Sequence, residues 1–503
     1  MKLFGRPRPA TEAPARPIVV ALLEGWGTRA AEPHKLAFKT RTPAFNRLVQ
    51  RSTVTSVDPG TACRSLAGAV SAIAQGKAPL APHTALDAVL RTSGGLGAHE
   101  GFRAFVRDLS KVGGDCHMLC CLTSSGIEGM TEQAAKIAAH LSHEGIRVWV
   151  HVVLDGRDTP HDAGLSAMSE FMDDVAGVDQ VRFATITGRA HVLDETADTK
   201  SLLLARDAML DAAPQVAQGL GAYIDSENRK GTNDADIKPA ADPAYPGLRS
   251  DDALLIIHPQ PDGFSALVNT LLPDDNLTVP SARPSTLSAC RRMIGWPYAA
   301  QTTPAGTSPQ ARAPIALFQP THPRLPDIIA AAGHSSLIAV PAMHHALAAA
   351  HLEGCTPPAS RAQQTATALD AAEIAVHAIK QNSHDVIFAL LTGAPAAARG
   401  GSETLARRTI EQQDKALGRI GAILERRGGT LLALGTDTSL SDASADALPV
   451  LLSPGDGHTL LKPGTLANIA PTVLALAGLP PHETFGNASL LMIDEGHDAV
   501  ASS

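Results

Sequence analysis

Aromatic side chains are scarce: Phe, Trp and Tyr together make up 3% of the 503 residues. Cores built without them must rely on Ala, Leu, Val and Ile, which bury less area per side chain. A basic excess is also missing. The chain carries 42 Lys and Arg against 50 Asp and Glu, a formal charge of −8. That excludes the broad positive field of a nucleic-acid binder, although a small anion needs only a few local Arg residues. No apolar run reaches membrane-spanning length, so no membrane partner is expected. The six Cys show no disulfide-framework or zinc spacing. Cys116, Cys120 and Cys121 fall on a stretch that reads as a buried strand and are expected to be free core thiols of a reducing compartment. The first residues, 1–16, lack the apolar centre of a secretory signal and read as a flexible tail, so a cytoplasmic location is expected.

What is present is a long globular chain, 44% hydrophobic and too large for one ordinary core. Ile18–Leu23 reads as a strand running into the turn Glu24-Gly25-Trp26-Gly27. Val148–Leu154 (VWVHVVL) is continuous and apolar, as a strand covered on both faces is. Further strands are read at Phe183–Thr187, Ala253–Ile257, Val386–Leu391, Leu431–Leu434 and Leu448–Leu452. A helix over Leu405–Arg426 places Leu417, Ile420 and Leu424 on one face and stops at Gly428-Gly429. This alternation predicts α/β layers with a mostly parallel sheet. Composition shifts at Lys77–His83 and Thr302–Pro314. The N-terminal piece offers one convincing strand and the C-terminal piece several. The prediction is therefore one discontinuous domain, residues 17–80 plus 313–503, interrupted by an inserted domain over 81–312.

Ligands of α/β sheets collect at the carboxyl ends of strands. Glu24, Arg157, Asp158, Arg189, Thr436 and Asp437 stand there. Arg157 and Arg189 suit a bidentate clamp for carboxylate or phosphate, but a lone Arg is more often a surface or salt-bridge residue. Ser65 suits a nucleophile if a base or metal activates it, and equally a helix N-cap. Glu24 suits a cation ligand or a solvated turn carboxylate. Asp158-Thr159-Pro160 is also a good turn with no chemistry.

Taken in order, these segments resemble the cofactor-independent phosphoglycerate mutases of the alkaline phosphatase superfamily. Leu23-Glu24-Gly25-Trp26-Gly27 resembles that family's LDGWG. His151 to Pro160 (HVVLDGRDTP) is nearly identical to its HxxLDGRDTPP signature, the most specific match. Gly188-Arg189 through Asp194 resembles GRYYAMD, and Leu466–Thr472 resembles LxDIAPT. The likeness runs from about Pro17 to about Leu490. It implies an alkaline-phosphatase-like doubly wound sheet domain with a second, substrate-binding α/β domain inserted. It also implies two Mn²⁺ or Mg²⁺ ions, no organic cofactor, and a monomer. The implied reaction interconverts 3- and 2-phosphoglycerate in glycolysis, with Ser65 carrying the phosphoryl group and Arg157, Asp158 and Arg189 binding substrate.

The sequence departs from the family at most metal positions. Glu24 stands for Asp. The NPDxxGH segment becomes Gly393–Arg399, with Pro395 for Asp and Arg399 for His. TADHGN becomes Leu434–Ser439, with Thr436 for Asp and Asp437 for His. Substrate positions are eroded as well, with Glu128 for His and Glu195 for Arg. Glu24 and Asp437 are the remaining candidate metal ligands. Pro, Arg and Thr in place of acids remove the charge that holds two hard cations. The expectation is impaired or lost catalysis, or alternatively a non-catalytic phosphate- or carboxylate-binding or regulatory pseudoenzyme.

Overall fold

The structure, a computed structural model, describes residues 17–26, 39–60, 66–78, 86–87, 90–91, 95–123, 130–157, 159–193, 199–249, 251–258, 264–271, 293–296, 315–316, 323–341, 352, 355, 367–393, 403–436, 447–454 and 459–493. Two compact units divide the chain, Met1–Leu80 with Pro320–Ser503, and Ala81–Gln319. Numbered along the chain, the strands are β1 (Ile18–Glu24), β2 (Thr53–Asp58), β3 (Cys116–Cys121), β4 (Val148–Leu154), β5 (Val181–Gly188), β6 (Ala240–Ala241), β7 (Ala253–Ile257) and β8 (Met293–Trp296). They continue as β9 (Ile315–Ala316), β10 (Ser336–Ala339), β11 (Val386–Leu391), β12 (Thr430–Thr436), β13 (Leu448–Ser453), β14 (Thr459–Leu461), β15 (Gly464–Thr465) and β16 (Leu491–Ile493).

The first unit holds a sheet in the order β10-β11-β1-β12-β13-β2-β15. β1 lies between β11 and β12, parallel to both, and every one of its residues is buried. Its unbroken apolar run has a physical reason, because a parallel central strand is covered on both faces. Ile18, Val20 and Leu22 enter one core, and Val19, Ala21 and Leu23 enter the other. That second core is rich in alanine: Ala368, Ala371, Ala372 and Ala375 of helix Ala368–Gln381 join Ala389 and Ala433 of the sheet. The N-terminal piece supplies a second strand, β2, where sequence reading found one. Its TVTSVD run buries only Val57, and it pairs antiparallel with β13, which is itself antiparallel to β12. A strand with one open face carries no continuous apolar signal.

The second unit holds a sheet in the order β6-β5-β4-β3-β7-β8-β9, parallel except for β6. Val148, Val150, Val152 and Leu154 of β4 face one core, while Val153 faces another with Leu119, Cys121 and Ile256. β9 still belongs to this sheet, beyond the boundary read at 312. The helix expected over Leu405–Arg426 spans Glu403–Arg427, and Gly428, at φ +71°, ends it. Both units are thus α/β with helices on two sides of a sheet. Among the described residues no helix is long and apolar enough to cross a membrane.

Candidate functional site

In the first unit β11, β1 and β12 run parallel, so their carboxyl ends share one edge. Glu24 closes β1 in register with Thr436 of β12. It is 4% exposed, which removes the solvated-turn reading. Its Oε2 accepts the Gly393 N–H at 2.8 Å, and the Gly25 N–H donates to the Thr436 carbonyl at 2.7 Å. Helix Glu403–Arg427 ties this edge together through the fully buried Gln413. Its Nε2 donates to the carbonyls of Leu391, at 2.8 Å, and Glu24, at 3.2 Å. Its Oε1 accepts the Trp26 indole N–H at 2.6 Å. The adjacent Asp414 accepts the N–H groups of Ala44 and Phe45, capping helix Pro43–Val49 from another part of the chain. Sequence reading missed this pair. The signal was there, since Gln413 lies one turn before Leu417 on the apolar face of the helix.

The described residues at this edge do not by themselves fit a pair of divalent cations. Among the described residues the edge offers one carboxylate, already accepting a main-chain N–H, and two buried hydroxyls, Thr392 Oγ1 and Thr436 Oγ1, without a hydrogen-bond partner. Hydroxyls are neutral donors, whereas two hard cations in one cleft need several anionic oxygens. No group of three or more His, Cys, Asp or Glu among the described residues is placed to hold a metal ion. Ser65, Asp437, Pro395 and Arg399 lie outside the described residues, as do Asp158, Glu128 and Glu195.

In the second unit the ends of β4 and β5 are adjacent, with Leu154 in register with Gly188. Arg157 and Arg189 therefore follow neighbouring strand ends. Arg189 is buried and its Nη1 pairs with Asp155 Oδ1 in a short, buried ion pair. Its salt-bridge reading thus holds, and its guanidinium is fixed by protein rather than wholly available to a ligand. Arg157 is half-buried. The turn after β4 is closed by Thr159, whose hydroxyl donates to Asp155 Oδ2 at 2.9 Å and accepts the Gly156 N–H at 3.2 Å. Gly156 is required here. Its φ is +59°, and a Cβ would stand 2.2 Å from Asn233 Oδ1 and 2.7 Å from the Ala235 N. Asp234, beside it, is fully buried and its Oδ2 accepts the Gly164 N–H at 2.6 Å. Burial pushes its carboxyl up, against the lowering effect of that N–H and of Asn228.

The fold is thus that of a discontinuous α/β domain interrupted by a second one, with polar residues gathered at the carboxyl ends of both sheets. Comparison with known proteins places it more closely. Residues 91–293 match the family described as the BPG-independent PGAM N-terminus. The chain is 23% identical over 513 residues to the 2,3-bisphosphoglycerate-independent phosphoglycerate mutase of Gluconobacter oxydans, covering 95% of this chain and 98% of that one. It is 24% identical to the same enzyme of Rhodopseudomonas palustris, covering 94% and 99%. Its fold matches a Leishmania mexicana phosphoglycerate mutase crystallised at low cobalt concentration, with a TM-score of 0.72 at 16% identity over 97% of this chain and 99% of that one. Along nearly its whole length the chain is thus similar to 2,3-bisphosphoglycerate-independent phosphoglycerate mutases.

Proposed function

We propose that this protein is a phosphoglycerate mutase relative in which metal-dependent transfer between the 3- and 2-positions of phosphoglycerate is impaired or lost. The observation that carries the reading is the engaged state of Glu24. Its carboxylate accepts a main-chain N–H, and threonine hydroxyls stand beside it where a dication needs acids. The sequence supplies Pro395 and Arg399 at two further positions, and an arginine opposes cation binding through its charge. The protein is read as a cytoplasmic monomer with no organic cofactor.

A second reading rests on the inserted domain. Arg157 and Arg189 follow adjacent strand ends, a placement that suits recognition of a small phosphate- or carboxylate-bearing anion. The chain then acts as a binding or regulatory protein, with Asp158 beside the clamp. The test is a mutase assay with added Mn²⁺ together with calorimetry against 3-phosphoglycerate. The expected result is turnover at the blank level, with binding heat that disappears in Arg157→Ala. Turnover abolished by Ser65→Ala overturns the first reading. Absence of heat for the wild type overturns the second.

A further inference from the structure

The core of the inserted domain contains a polar chain that neither reading uses. His117, on β3, is fully buried, and its Nε2 lies 3.1 Å from Asp252 Oδ2. Its Nδ1 lies 2.9 Å from Nε2 of His151, which stands on β4 two residues beyond Trp149, the residue in register with His117, and the rings stack with centroids 5.2 Å apart. His151 Nδ1 in turn lies 2.9 Å from Thr185 Oγ1. A bulge makes that last contact. Val150 of β4 registers with Phe183 of β5 but His151 with Thr185, so the extra residue, Ala184, is skipped and a hydroxyl is brought opposite the imidazole. Tyr245 closes the chain, donating its hydroxyl to the Met209 carbonyl and standing 3.2 Å from His117 Nδ1.

Proton counting restricts this chain. Asp252 accepts the N–H groups of Asp115 and Arg249, at 2.8 and 2.7 Å. Burial raises its carboxyl, but these donors and His117 outweigh burial and hold it below the usual range. It is therefore an acceptor, and His117 Nε2 carries the proton between them. The line from His117 Nδ1 to His151 Nε2 then has room for one hydrogen. With both rings neutral, or with one protonated, every ring nitrogen on the line is either a donor or an acceptor. With both protonated, two N–H groups point at each other across 2.9 Å, in a core where charge is poorly screened.

The geometry points to an acid-sensitive latch: the His117–His151 pair joins β3 to β4 while it shares one hydrogen, and a second hydrogen on that line opens the two strands. The titratable groups packed against His151 are His117 from β3 and Tyr245 from the turn before β7, while Thr185 from β5 is neutral. Asp252 reaches it through His117. Asp115, paired with Arg147, lies beyond Trp149. Burial, and then the charge of His117, holds His151 well below its ordinary value. The open state takes up a proton near the ordinary value of about 6.5 and the closed state does not, so opening grows as pH falls below it, by up to about tenfold per unit.

The test is hydrogen exchange at pH 7 and pH 5, corrected for intrinsic rates. Amides of β3 and β4 are expected to open about 25-fold more at pH 5, the ratio one such proton gives, while β11 in the other unit changes little. His151→Gln is expected to flatten the ratio. If that variant does not fold, ring-nitrogen NMR of the wild type decides: His151 is expected to keep one tautomer without a second ring proton down to pH 5. A ratio near one, an equal ratio in β11, or His151 gaining its second proton near pH 6.5 overturns the latch.

Discussion

Gly393, two residues beyond β11, donates its amide hydrogen to Glu24 at the end of β1, 2.8 Å away. A buried carboxylate at this strand edge is thus bound by the protein's own backbone. Glu24→Ala leaves that N–H buried without an acceptor and is expected to cost about 1–3 kcal/mol in urea unfolding. Glu24→Gln keeps an acceptor and costs less. An alanine variant as stable as the wild type refutes a structural part for this bond.

Metal should not matter to folding. A dication at a hundred times its dissociation constant adds about 2.7 kcal/mol to stability, a rise in Tm that calorimetry resolves. Chelator-treated and Mn²⁺-supplemented protein are expected to melt together. A clear rise with Mn²⁺ means that the donors at this edge do hold the ion.

Gln413→Leu tests the tie between helix and sheet. It removes three buried hydrogen bonds, to Trp26, Glu24 and Leu391. At about 1 kcal/mol each, with more for the stranded indole N–H, the expected loss is about 3 kcal/mol. Denaturant midpoints of the two proteins check it.

Arg189→Met removes one partner of the buried Asp155–Arg189 ion pair. Removing one partner of such a pair costs about 3–5 kcal/mol. The double variant with Asp155→Asn is expected to recover part of this loss. If the single variant is neutral, the Arg189 guanidinium belongs to a ligand rather than to the fold.

Burial pushes the Cys120 thiol up to about 12. The thiolate is the reactive form, so Cys120 is expected to resist thiol reagents at pH 8 until the protein is unfolded. Mass mapping of labelled peptides reads this directly.

What the sequence revealed follows the strength of its patterns. β1, β3, β4, β7 and β11 were legible because parallel strands covered on both faces are continuous apolar runs. β2 was not, because one open face and an antiparallel neighbour let polar residues alternate through it. The turn after β4 was legible as a motif, yet the pairing of Arg189 with Asp155 joins residues 34 positions apart, and no local pattern encodes that. His151 sat in plain view within VWVHVVL. Its run reads as apolar, and only the bulge in β5 and the approach of β3 reveal its partners. Gln413 could have been suspected as a polar residue on an apolar helical face, but its three partners lie on β1, the turn after it and β11.

The alanine seam between helix Ala368–Gln381 and the first sheet has a thermodynamic consequence. An alanine loses almost no rotamer freedom when it docks, whereas a long side chain forfeits up to about 2 kcal/mol. A protein poor in rings gives up area on this face but incurs little side-chain ordering in return. Its tolerance is correspondingly one-sided. With Ala371, Ala372 and Ala375 fully shielded from solvent, a larger residue there must push helix and sheet apart, and truncation to glycine unsettles the helix instead.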